Sequence, residues 1–246
     1  MVVTSRNQQR LVNPDHPRML QNLFELQTRE KPELVFSQIN YTLRRLKQEP
    51  RSPELDALIL RFEPRVEVYN IGYTAYFQSL ERYERRSEAL SDKLKEQTEH
   101  LKTWIGVIEN RLKGQPQVIR VLFPRGLEVF SSVDDRDRLS GHQIFVSRLA
   151  EFPELSSLRT EASGFLEELR EVYQEFIRAE KSISEFSSAL EVLRINVTQG
   201  MYYLLNYLIS SYGDHNQKIE SWFDFEELYS RRPVRTTQMV PEKVLR

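Results

Sequence analysis

Two long series of apolar residues, spaced by three and four positions, constrain this sequence more than any other feature. Such spacing places side chains on one face of an α-helix, and series that last for many turns are typical of helices packed along one another. A helix of about 50 residues would be roughly 75 Å long. The first series comprises Val66, Tyr69, Tyr73, Tyr76, Leu80, Tyr83, Ser87, Leu90, Leu94, Thr98, Leu101, Ile105, Ile108 and Leu112. The second comprises Leu155, Leu158, Ala162, Phe165, Leu169, Val172, Phe176, Ala179, Ile183, Phe186, Leu190, Leu193, Val197, Met201, Leu204 and Leu208.

Helix-breaking residues flank both series. Pro64 and Pro153 stand just before them, and Gly114 and Gly213 just after them. Proline disrupts a helix interior and glycine commonly follows a helix end, so each series has a start and a stop. We predict an all-α fold, an elongated antiparallel helical bundle built on two long helices at about 65–113 and 155–212. Shorter packing helices are predicted at 17–29, 32–49, 52–62 and 132–149 and after residue 213.

The segment 117–130 between the long helices differs from the rest of the chain. It is rich in β-prone residues, and Pro124 and Gly126 supply turn chemistry. An irregular loop is the favoured interpretation, with Phe123 and Phe130 packed under the end of the bundle. A small β-hairpin is the alternative.

The same patterns lead to a domain prediction. Residues 1–232 are expected to form a single helical-bundle domain, and residues 233–246 an extended C-terminal tail. The two apolar series superpose after a shift of about 89 residues. This shift raises the possibility of an internal duplication of about 53–113 and 134–212, joined by a connector at 114–133. Chance alignment of two helical series is the simpler alternative.

Composition excludes several classes of function. The chain has no cysteine, which removes disulfide frameworks, thiolate metal sites and cysteine nucleophiles. Its 35 basic and 36 acidic residues provide no global field that would hold nucleic acid. No segment reads as a signal peptide or a membrane span. We therefore expect a cytoplasmic protein that binds neither nucleic acid nor membrane.

The residues that usually carry chemistry are few and scattered. None of the four histidines pairs with another at metal-ligand spacing, and His100 is expected to face solvent. Asp134, Asp135 and Asp137 match the acidic start of a helix better than a metal or acid–base site. The sequence therefore predicts no catalytic residue, no cofactor and no metal.

Aromatic residues near the C-terminus are the best candidates for a binding surface. The window 201–209 is apolar nearly all round, which indicates burial, yet tyrosine and tryptophan are also enriched at protein interfaces. Arg231 and Arg232 belong to the one basic cluster without interleaved acids. The candidate interaction residues are Tyr203, Tyr207, Trp222, Phe223, Phe225, Arg231 and Arg232. The connector candidates are Phe123, Pro124, Gly126 and Phe130.

These observations favour a non-enzymatic structural or interaction protein. Its expected partners are proteins, either further copies of the chain or other subunits of an assembly for which it acts as a scaffold or adaptor. One alternative is a membrane-active helical protein of the pore-forming type that inserts residues 117–130, although Arg120, Arg125 and Glu128 make insertion costly. A third is an enzyme with an acid–base pair that the sequence does not reveal.

Overall fold

The described part of the chain contains helices and the turns between them. A computed structural model describes residues 22, 24, 25, 28, 31–113, 117–212 and 216–229. The α-helices are α1 (Pro32–Gln48), α2 (Pro53–Arg111), α3 (Gln117–Leu122), α4 (Asp135–Leu149), α5 (Ser156–Tyr212), α6 (Asn216–Trp222) and α7 (Phe225–Tyr229). Short 3-10 helices lie at Leu127–Ser131 and Pro153–Leu155. The all-α prediction built on two long helices is confirmed.

Helix α2 begins 12 residues earlier than the predicted residue 65. The Ser52 hydroxyl accepts a hydrogen bond from the Leu55 amide at 3.1 Å and caps its first turn. The predicted break at Pro64 is wrong, because Pro64 lies inside the helix. Phe62 and Val66, on either side of Pro64, are buried in the same core, and this shared burial holds the helix through the proline.

Helix α5 matches its prediction closely. Pro153 opens a 3-10 turn, and the α-helix follows from Ser156 to Tyr212. Most of the predicted apolar series on α5 is buried, with Phe186 as an exposed exception. The interruption of the series at Phe186 shows that the spacing indicated the helix correctly but overestimated how much of its length is covered.

The chain forms two compact units, and each contains part of α2 and part of α5. The first comprises Met1–Gln78 and Ser184–Arg246, and the second Ser79–Ile183. The predicted single domain and the predicted duplication stay predictions. The tail predicted at 233–246 lies outside the described residues. So does the helix predicted at 17–29, apart from residues 22, 24, 25 and 28.

In the second unit, α2 and α5 run antiparallel. The Ser79 and Ser182 hydroxyls are 3.3 Å apart, and the Trp104 indole N–H donates to Glu161 at 2.8 Å further along α2. Near the end of α2, Arg111 donates to the Glu154 carbonyl at 3.0 Å. Position numbers rise on one helix as they fall on the other, as the prediction of an antiparallel pair requires.

The connector is neither a hairpin nor wholly irregular. Residues Gln117–Leu122 form an α-helix, and a 3-10 helix follows at Leu127–Ser131. The favoured loop is therefore wrong for these residues. Val118 and Leu122, four positions apart, are both buried, and this helical spacing outweighs the β-propensity of the individual side chains.

Candidate interaction surface

A groove lies between α2 and α5 in the first unit. It has a volume of about 360 Å³ and is open to solvent. Its floor is apolar, while two arginines and two tyrosines stand around it. The lining residues are Leu58, Arg61, Phe62 and Arg65 of α2, and Gly200, Tyr203, Leu204 and Tyr207 of α5.

Gly200 allows one of these arginines to lie against α5. A Cβ atom at this position would lie 3.1 Å from both Cδ and Nη1 of Arg65. Arg65 Nη1 in turn donates to the Asn196 carbonyl at 3.4 Å. The glycine therefore permits a close approach that fixes one edge of the groove.

Tyr203 and Tyr207 are brought to this groove, as a binding role would require. Tyr203 is 58 % exposed and Tyr207 is 40 % exposed. Neighbouring Leu204 and Leu208 are buried in the core of the first unit. The expectation that the window 201–209 is buried on every side is therefore wrong, because α5 packs on one side only at its tyrosine positions.

Beside the groove, α2 carries an exposed apolar stripe, which we define as Ala57, Leu60, Pro64, Val68, Ile71 and the half-buried Ala75 at its end. Leu60 is 75 %, Val68 50 % and Ile71 71 % exposed. These positions recur every three or four residues and occupy the side of α2 opposite to its buried residues Leu55, Ile59, Phe62, Val66 and Tyr69. This part of α2 is apolar on two opposite faces, and among the described residues only one of these faces is covered.

Sequence reasoning missed this stripe. The signal was present, since the six positions repeat at the helical period. The predicted break at Pro64 divided the stripe between two supposed helices, and each piece alone was too short to be noticed. Arg61 and Arg65 were missed for the same reason.

Three of the other predicted interaction residues pack in the interior of the first unit. Trp222 and Phe223 are buried in the core of the first unit. The Trp222 indole donates to Glu49 Oε1 at 3.0 Å, and its ring meets Tyr212 edge-on. Phe225 is half-buried and packs against Phe223, with ring centroids 5.6 Å apart. Arg231 and Arg232 lie outside the described residues.

Most of the connector candidates serve the core of the second unit. Phe123 stacks on Phe145 with ring centroids 4.7 Å apart, and Phe130 meets Phe123 edge-on. Both phenylalanines are buried, whereas Pro124 is exposed at the turn. Gly126 has a φ of 76°, a conformation that favours glycine and reverses the chain between them.

His142 and His100, the two histidines that the structure describes, both pack against aromatic rings in the second unit. His142 is fully buried, and its Nε2 donates to the Ala162 carbonyl at 3.1 Å while Nδ1 accepts from Gln97 at 3.1 Å. Burial lowers the pKa of His142 to about 4. His100, predicted to face solvent, does so only in part: its side chain is 33 % exposed, while its ring stacks 5.2 Å from Trp104 and lies 5.0 Å from Phe165.

The acidic cluster at residues 134–137 begins a helix, as predicted. Asp134 caps α4 by accepting a hydrogen bond from the Arg136 amide at 2.8 Å. Asp137 pairs with Arg125 at 3.0 Å. Within the described part of the chain, no three acidic or histidine side chains come together in an arrangement suited to a metal ion. Among the same residues, no helix has a stretch long and apolar enough to cross a bilayer.

Comparison with known proteins gives this surface no precedent. No protein-family model matches the chain, and no curated protein or solved structure matches it.

Proposed function

We propose that this protein is a non-enzymatic component of an assembly and that it binds protein through the outer face of its first unit. The observation that carries the proposal is the exposed apolar stripe of α2. Three large aliphatic side chains in helical register on one exposed face are uncommon on a surface that faces only water, and contiguous patches of this kind mark interaction sites.

The energetics support a binding role for the stripe and the groove. Burying one exposed leucine, isoleucine or valine contributes about 1.5–3 kcal/mol. Tyr203 and Tyr207 add large side chains with a polar end, which suit the partly wet edge of an interface. Arg61 lies between the stripe and the groove and joins them into one continuous binding face.

The connector supports the assembly role better than membrane insertion. Phe123 and Phe130, the residues best suited to enter a bilayer, pack inside the second unit. The exposed side chains of the connector include Arg120, Arg125 and Glu128, whose charges oppose insertion. The buried phenylalanines anchor the connector to α4.

The chemistry at His142 also favours a structural role. Both of its ring nitrogens are hydrogen-bonded inside an aromatic core that includes Trp104, Phe145 and Phe165. A general base needs access to a substrate proton. The absence of cysteine fits assembly in a reducing compartment, so we propose a cytoplasmic protein.

The test compares tagged full-length variants in cells of the source organism. A Leu60→Ser/Ile71→Ser variant is expected to lose the proteins, including untagged copies of the chain, that co-isolate with the unchanged chain. The matched control is Leu127→Ser/Val133→Ser, which replaces two exposed aliphatic residues of the second unit. The proposal would be contradicted if the stripe variant and the control variant recovered the same partners in equal amount. It would also be contradicted if the unchanged chain recovered no partner.

A further inference from the structure

The charged residues on either side of the exposed α2 stripe indicate which partner binds it. We propose that it is covered by the stripe of a second copy of this chain, with the two α2 helices parallel and related by a two-fold axis. This inference rests on the binding role proposed above and names the partner. It is argued from the charges that flank the stripe.

Between residues 56 and 67, opposite charges lie on opposite flanks of the stripe. Glu63 and Glu67 follow stripe residues by three positions, and Asp56 lies on the same flank about two turns before Glu63. Arg61 and Arg65 follow stripe residues by one position, which places them on the other flank. One edge of the stripe is therefore acidic and the other is basic.

This separation of charge favours one orientation, parallel rather than antiparallel, when the α2 helices of two copies pack together. When two identical helices pack parallel about a two-fold axis, the left flank of one meets the right flank of the other. The acidic flank of each copy then faces the basic flank of the other at Asp56, and no two flanks of like charge meet. In an antiparallel pair, like flanks meet, so Glu63 and Glu67 would approach their own copies and the arginines would do the same. Like charges in contact oppose that arrangement.

The register of the parallel pair gives a specific contact. Along a parallel helix pair, a flanking residue meets the opposite flank of its partner about five positions later. Asp56 of one copy therefore meets Arg61 of the second copy, and symmetry repeats the pair. Asp56 also pairs with Arg51 of its own chain at 2.5 Å, and Glu63 pairs with Lys47. A carboxylate has two oxygens and can accept from both cations.

The apolar side chains complete a self-complementary contact. In a parallel two-fold pair, each stripe residue meets the same residue of the other copy. The stripe spans 18 positions from Ala57 to Ala75, or about 27 Å of helix. The spacing returns to the same face after 18 residues, which suits straight helices rather than a long supercoil.

The absence of cysteine makes the orientation testable by cross-linking, since each introduced thiol is unique. The variants are Leu60→Cys and Ile71→Cys, with the exposed Val133→Cys of the second unit as control. Under mild oxidation, the two stripe variants should each form covalent dimers about tenfold faster than the control. When the two variants are mixed, cross-links between position 60 of one chain and position 71 of another should not form faster than cross-links between identical positions. Positions 60 and 71 are about 16 Å apart along the helix, so a parallel pair keeps them apart.

A charge exchange tests the flanks independently. Arg61→Glu should weaken the dimer about tenfold, and Arg61→Glu combined with Asp56→Arg should restore it, because the pair is re-formed with its charges reversed. Circular dichroism checks that each variant retains its helices.

Several outcomes would overturn the inference, and they differ from failure of the proposed function. Faster mixed than homotypic cross-linking would indicate an antiparallel pair. Cross-linking no faster than Val133→Cys would exclude the stripe as the contact between copies. If the chain alone stays monomeric but Leu60→Ser/Ile71→Ser loses another protein partner, the binding role stands and self-pairing is wrong.

Discussion

At the scale of single residues, the environment of a side chain decides its role more than its type does. His142 and Trp222 could each have served a site, but the structure buries both among aromatic rings. Tyr203 and Tyr207 have the same aromatic character as Tyr69, yet they face solvent while Tyr69 is buried. The sequence showed that aromatic residues are frequent near the C-terminus, but only the contacts in the structure distinguish those in the core from those on the surface.

His142 should make the stability of the protein depend on pH. The folded chain binds a proton at His142 only near pH 4, whereas an unfolded histidine does so near pH 6.5. Between these values the unfolded state binds more protons, so the free energy of unfolding should fall as pH falls, by up to about 3 kcal/mol. Urea unfolding from pH 7 to 4 measures the slope. In His142→Gln the pH dependence that His142 contributes to the free energy of unfolding should be lost, and in His100→Gln it should remain. Equal slopes for the two variants would show that His142 is not its source.

Trp222 and Tyr203 should respond differently to truncation. Trp222→Ala removes a buried ring and its hydrogen bond to Glu49, and should lower the free energy of unfolding by about 3–5 kcal/mol. Tyr203→Ala removes an exposed ring and should change it by less than about 0.5 kcal/mol. Denaturant titration followed by circular dichroism measures both. Similar losses would show that the C-terminal aromatics are not divided between core and surface as described.

At the scale of elements, the long apolar series identified the two long helices but not their full extent. Residues Val66 to Leu112 repeat at helical spacing over many turns, so local periodicity was sufficient there. Pro64 concealed the first part of α2, because proline weakens a helix locally while the burial of Phe62 and Val66 restores it through tertiary contacts. Helix α3 was missed because six residues carry too little periodic signal to outweigh β-propensity.

Helix α4 packs closely against the 3-10 helix of the connector at Gly141. A Cβ atom there would lie 2.7 Å from Val129 Cγ1 and 3.2 Å from Cγ2. Gly141→Ala should therefore lower the free energy of unfolding by about 1–3 kcal/mol, despite a gain in helix propensity of about 1 kcal/mol. Gly164→Ala in α5 is the matched control, since nothing lies within 4 Å of its added Cβ, and it should stabilise the protein.

Thermal unfolding of the two glycine variants compares them directly, and Val129→Ala should partly rescue Gly141→Ala by making room for the methyl group. A stabilising Gly141→Ala would mean that the connector is not packed on α4 as described.

At the scale of the whole molecule, the chain forms two compact units, and the first carries an exposed apolar face. The apolar side of α2 that builds the core was evident in the sequence, whereas the opposite side was not, because the predicted break at Pro64 divided it between two helices. The exposure of Leu60, Val68 and Ile71 shows that the second face is not covered by the part of the chain that the structure describes. What covers it depends on another molecule, and we propose that this is a second copy.

Sedimentation equilibrium of the full chain tests most directly whether the α2 stripe pairs two copies of the chain. Over an about hundredfold range of concentration, the mean mass should rise from that of one chain towards that of two. Leu60→Ser/Ile71→Ser should weaken this association more than about a hundredfold, since four buried aliphatic side chains are lost per dimer. Both substitutions lie on exposed positions and should leave the free energy of unfolding within about 1 kcal/mol. A dimer of unchanged affinity in the variant, or a chain that stays monomeric at every concentration, would contradict the claim.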